Sequence, residues 1–74
     1  MKPHIRWMIR LDMPEVLAIE EASFRYPWIE ADLISCLQQR NCIGMVAEHD
    51  EQIIGYMLYE LFTHRIDLLH IAVR

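Results

Sequence analysis

The apolar residues of this chain change period along its length. From Ile5 to Arg10 large apolar residues alternate weakly with polar ones, which predicts a first strand. Asp12 followed by Glu15 resembles a capping box, and Pro14 is tolerated in a first helical turn, so a helix is expected to begin here and run to about Ser23. Met13, Val16 and Leu17 stand at i, i+3, i+4 and form its apolar stripe; Glu20 and Phe24 continue it. Phe24-Arg25-Tyr26-Pro27-Trp28 breaks the period. Pro27 lacks an N–H and holds Tyr26 in extended geometry, which predicts a loop. Ile29, Leu33, Ile34 and Leu37 then recur at helical spacing, predicting a second helix from about Glu30 to Gln39, with Arg40 and Asn41 suited to its C-terminus.

From Ile43 the period becomes two. Ile43–His49 and Ile53–Leu61 read as strands joined by a tight polar turn at Asp50-Glu51-Gln52, an antiparallel hairpin. Gly55 inside the second of these suggests a bulge or a close backbone approach. Phe62-Thr63-His64 leads into a last strand that begins near Arg65 and includes Leu68-Leu69-His70-Ile71-Ala72-Val73-Arg74. The predicted order is β-α-α-β-β-β, without internal repeat, low-complexity stretch or flexible linker. A terminal apolar strand satisfies its backbone groups only by pairing, so a neighbour is expected on each side of it.

Composition adds a tension. Seventy-four residues make one domain at most, and a chain of this size buries only about 60% of its unfolded surface. Yet 54% of the residues are hydrophobic, more than a small interior holds comfortably. Association with another copy, or membership of a larger domain, is the expected remedy. With 7 basic against 11 acidic residues and a net charge of −4, no nucleic-acid-binding face is expected. No stretch has the apolar length of a membrane span, and Met1-Lys2-Pro3-His4 has no apolar signal region, so a cytoplasmic protein is expected. Cys36 and Cys42 are read accordingly as reduced, small semi-buried residues. There is no CxxC, and the four histidines are scattered, so no metal site is expected.

Three segments in order then carry a resemblance. They are Asp12-Met13-Pro14-Glu15-Val16-Leu17-Ala18-Ile19-Glu20, Phe24-Arg25-Tyr26-Pro27-Trp28 and Leu69-His70-Ile71-Ala72-Val73. Together they resemble the front half of a GNAT acyltransferase, most closely the ribosomal-protein-alanine N-acetyltransferase family. The match spans nearly the whole chain, with one departure: Ile29 stands where the family commonly has a helix-capping Ser.

The resemblance implies an α/β (α+β) fold, the N-terminal half of a GNAT domain with a mainly antiparallel sheet. It also implies transfer of an acetyl group from acetyl-CoA to an amine, such as a protein or peptide N-terminus. In the family, the strand matched by Ile71, Ala72 and Val73 pairs its backbone with the pantetheine arm of acetyl-CoA; the competing reading is an ordinary buried strand. Tyr26 and Trp28 would wall the acceptor site, or else plug the sheet. Glu20 lies on an apolar stripe, where a carboxylate must be paired. It would orient the acceptor amine or, the favoured reading, form a structural hydrogen bond or ion pair, with Arg10 as the candidate partner. His70, expected on the face opposite Leu69 and Ile71, could shuttle a proton but is more simply a passive residue.

The family's Gly-rich pyrophosphate turn, its base and its acid all belong after this last strand. Gly44 and Gly55 are the only glycines, and neither sits at a strand-to-helix junction. The 74 residues alone are therefore expected to be a truncated, inactive domain, with no catalytic residue assigned. The alternative is a non-enzymatic module that forms a homodimer through the free edge of its last strand.

Overall fold

The computed structural model describes residues 2–74. Four strands form one open, wholly antiparallel sheet in the order β1-β2-β3-β4. They are β1 (His4–Trp7), β2 (Cys42–His49), β3 (Gln52–Leu61) and β4 (Ile66–Val73), and the two helices are α1 (Met13–Ser23) and α2 (Glu30–Leu37). The fold is α+β, with both helices inserted between β1 and β2.

β1 is shorter than the apolar pattern implies. After the Met8 amide donates to Gly44 O, the Asp12 carboxylate accepts from the Ile9 amide and turns Arg10–Asp12 into a 3-10 helix. Asp12 therefore caps this turn, with no side-chain cap on α1. The expected box partner, Glu15, reaches instead to β3 and accepts from the Ile53 amide at 2.9 Å. Long-range pairing has outbid the local motif. At α2 the Ile29 amide donates to Asp32. Asp32 thus satisfies the N-cap amide, and its charge also suits the helix N-terminus, while Ile29 offers no side-chain cap.

α2 ends at Leu37, two residues before the expected Gln39. Cys36 and Cys42 are joined in a disulfide with Cα atoms 6.0 Å apart. This corrects the reading of both as free thiols: the short turn after α2 brings the two side chains together, which their sequence spacing did not disclose. The β2–β3 hairpin turns on two residues, Asp50 and Glu51, both at positive φ (50° and 64°). Such a turn matches the right-handed twist of the flanking strands, so Gln52 belongs to β3.

The core lies between the helices and one sheet face. Val16 and Ile19 of α1, Leu33 of α2, Val46 of β2, and Ile53 and Leu58 of β3 are all buried. Ile19, outside the predicted stripe, replaces Leu17 and Phe24 in the deepest layer; those two pack at its margin. Gly55 lies at a close backbone approach, where a Cβ would stand 3.0 Å from Ala72 O. The opposite sheet face has no helix against it.

Candidate functional site

A single buried carboxylate organises the helix side of β4. Glu20 is 2% exposed. Its Oε1 accepts a short hydrogen bond from the Tyr56 hydroxyl and lies 2.8 Å from His70 Nδ1. Its Oε2 accepts from the Trp28 amide at 2.9 Å. α1 supplies the acid, β3 the phenol, β4 the imidazole, and the interhelical loop the amide. The anticipated partner Arg10 is not among them. A half-buried arginine pair belongs to Arg6, which grips Asp12 with two bonds of 2.8 Å and also reaches Glu48.

The electrostatics follow from these contacts. Burial pushes the Glu20 carboxyl up, but the hydrogen bonds from Tyr56, Trp28 and His70 outweigh it and hold the acid below its ordinary value. Burial first, and then the bond and charge of Glu20, raise the Tyr56 phenol. Tyr56 is consequently a standing donor rather than an acid that gives up its proton. In the tautomer that places a proton on Nδ1, His70 donates to Glu20 and leaves Nε2 as an acceptor.

A bulge in β4 sets the direction of His70. Leu58 faces His70 while Tyr59 faces Leu68, so Leu69 is the extra residue. Leu69 packs against the core cluster, and His70 lies under the rings of Trp28 and Phe24, with centroids 4.3 and 4.9 Å away. Both therefore occupy the helix side. The expected opposition of His70 to Leu69 is overturned by the bulge, while the opposition to Ile71 stands.

Of the proposed acceptor-site residues, Trp28 and Glu20 come together but Tyr26 does not. Tyr26 is 79% exposed, and Arg25 lies 5.5 Å above its ring. Beyond Trp28 an open cleft of about 410 Å³ runs between α2 and the ends of β3 and β4, bordered by Asp32, Ser35, Glu60 and Leu69. Tyr56 was missed from sequence. The signal was partial: a buried carboxylate needs a donor, but which residue supplies it is set by strand pairing.

Among the described residues β4 pairs only with β3, leaving its other edge open. Arg74 donates its amide to Ile54 O, which fixes the alternation of the ladder. Ala72, opposite Tyr56, turns its backbone groups to β3; Ile71 and Val73 turn theirs to the open edge. Gly44 lies inside β2 and Gly55 inside β3. Among the described residues no cluster of three or more His, Cys, Asp or Glu could hold a metal ion. No helix is long and apolar enough to cross a membrane. No family model matches this chain, and neither curated proteins nor solved structures include a significant match.

Proposed function

We propose that this chain forms the acceptor side and the cofactor strand of an acetyl-CoA-dependent N-acetyltransferase of the GNAT type. Its acceptor would be a protein N-terminal amine, such as that of a ribosomal-protein alanine. One observation carries the reading: the outward-facing backbone groups of Ile71 and Val73 adjoin the Glu20–His70 pair.

Acetyl-CoA would supply an activated thioester when bound. Ile71 and Val73 would hold its pantetheine arm by strand-like hydrogen bonds, with Ala72 between them fixing the register from the β3 side. Trp28 would wall the acceptor cleft, and Glu20 would act at one remove by holding the loop amide and the His70 ring. The step is direct transfer. The neutral amine forms the new C–N bond, the C–S bond breaks, and the proton lost by the amine ends on the thiol. Positioning is the contribution these residues can make.

Titration of the isotope-labelled chain with acetyl-CoA tests this. The Ile71 and Val73 amides are expected to shift strongly and the Ala72 amide weakly. Absence of any β4 response at saturating ligand would overturn the assignment. Turnover in an acetyl-transfer assay is expected to be absent, because the residues include no pyrophosphate turn. The same free edge favours a second reading, pairing of β4 with its copy. Exchange protection of the Ile71 and Val73 amides without ligand would support that instead.

A further inference from the structure

The uncovered sheet face is a larger feature than the edge. On β1 it presents Ile5 and Trp7, 58% and 74% exposed. On β4 it presents Ile66, Leu68, Ile71 and Val73, each more than half exposed, and Leu61 joins them from β3. Met45 and Met57 fill the centre at intermediate burial. Two shallow depressions adjoin along this face. One of about 190 Å³ lies over Gly55 and Ala47, ringed by Ile5, Met45, Ile71 and Val73. The other, of about 410 Å³, lies between Tyr59, Leu61, Ile66 and Leu68. Met57 borders both.

The charges are elsewhere. Arg6 and Glu48 turn to the helix side, where they meet Asp12. Glu60 and Asp67 are register partners on that same side, with Glu60 lining the α2 cleft. The strand alternation thus leaves the outer face of the four strands without Lys, Arg, Asp or Glu side chains between Ile5 and Val73.

We propose that this face binds a second copy of the chain, sheet against sheet. Three observations select that occupant. The centre of the face carries no Lys, Arg, Asp or Glu, so two copies meet there without stranding an ionised group; His49 on the same side lies at the hairpin end beside Asp50. Its exposed large side chains amount to roughly 400–800 Å², which exceeds or matches the largest apolar patch of an ordinary monomer and approaches the half-interface of a standard dimer. Its relief offers both rim and hollow: exposed side chains of β1 and β4 flank the depressions over Gly55 and beside Met57. A two-fold axis would place the raised rim of one copy over the hollow of the other, as in an aligned sandwich. The methionines at the centre are the side chains best able to adjust the fit. This interface is independent of the acetyltransferase reading, and it differs from edge pairing because it uses β1.

Sedimentation of the 74-residue chain, with Trp7→Lys and Leu68→Lys variants and with neutral phosphatidylcholine vesicles, decides it. Trp7 lies on β1, at the far side of the sheet from the β4 edge, and its exposure makes its replacement compatible with folding. The wild type is expected to be a dimer with a dissociation constant in the micromolar range or tighter. Each variant should weaken the dimer at least tenfold while keeping the wild-type circular dichroism. A wild type that stays monomeric at high concentration overturns the proposal. So does a Trp7→Lys protein that dimerises like the wild type, which would assign the contact to the β4 edge. A monomer that floats with the vesicles would assign the face to lipid, and also overturns it. Should Trp7→Lys fail to fold, Ile5→Lys, on the same strand and face at a residue 58% exposed, takes its place with the same two outcomes.

Discussion

Glu20 and His70 stand fifty residues apart in the chain and 2.8 Å apart in space. The carboxylate also takes the Tyr56 hydroxyl and the Trp28 amide. It therefore ties α1, the interhelical loop, β3 and β4 together at one buried point. Removing it leaves three donors without their acceptor: the Tyr56 hydroxyl, the Trp28 amide and His70 Nδ1–H. Glu20→Ala is expected to lower unfolding stability by about 3 kcal/mol, and Glu20→Gln, which keeps the shape and one acceptor oxygen, by about half as much. Urea denaturation of the two variants checks this; equal stabilities for Glu20→Ala and wild type would rule out the network as a structural tie.

Acid should unfold the protein through two carboxylates. The side-chain bonds from Arg6 lower the Asp12 carboxyl, against burial and with help from the Ile9 amide. Glu20 is lowered on balance despite its burial. Both folded values lie below the unfolded ones, so the unfolded chain binds protons first as pH falls. Their stabilisation is complete above the ordinary carboxylate range and is lost as pH drops through the folded values. Melting temperature should be flat from neutral pH down to about 5 and then fall steeply. The Asp12→Asn, Glu20→Gln double variant should melt lower at neutral pH and show a shallower acid limb.

The disulfide is expected to be a modest staple. Cys36 and Cys42 are six positions apart, and closing so short a loop stabilises by only about 2 kcal/mol. Oxidised protein should show no free thiol to a chromogenic reagent until it is unfolded and reduced. Reductant should lower the denaturation midpoint without abolishing the cooperative transition. Two reactive thiols in the untreated folded protein would contradict the bond.

Gly55 tests the closeness of β3 to β4. Its φ is not positive, so an added methyl meets a steric cost rather than a dihedral one. The Cβ would lie 3.0 Å from the backbone oxygen of Ala72 and 3.4 Å from a Val73 methyl. Backbone cannot swing aside as a side chain does. Gly55→Ala should cost about 1–3 kcal/mol, read from the denaturation midpoint, and faster amide exchange should be confined to β4 and its partners on β3.

Much of the fold was legible because it is written in short-range periods. Met13 and Val16 announce α1, Leu33 and Leu37 announce α2, and the alternation through Val46 and Leu58 announces the hairpin. Boundaries were less so. β1 stopped at Trp7 rather than Arg10 because Asp12 competes locally for the Ile9 amide. Glu15, a plausible box residue, was claimed by an amide on β3. Of the candidate site, the need of Glu20 for a partner could be read from its place on an apolar stripe. The identity of that partner could not, because Tyr56 and His70 are brought to it only by β3 and β4 pairing.

Hydrophobic period, a proline, and turn-forming residues thus determined the element order β-α-α-β-β-β and the existence of a buried acid, since each depends on residues within a turn or two of one another. The tertiary structure decided the rest. It decided that Glu20 meets Tyr56, Trp28 and His70 and not Arg10, while Arg6 pairs with Asp12, that Cys36 meets Cys42, and that Tyr26 faces solvent while Trp28 covers His70. It also decided that a one-residue bulge sends Leu69 and His70 to the same side. The reason is common to all of them. A single slip in register reverses every side chain beyond it, and register is settled by pairing between strands far apart in the chain.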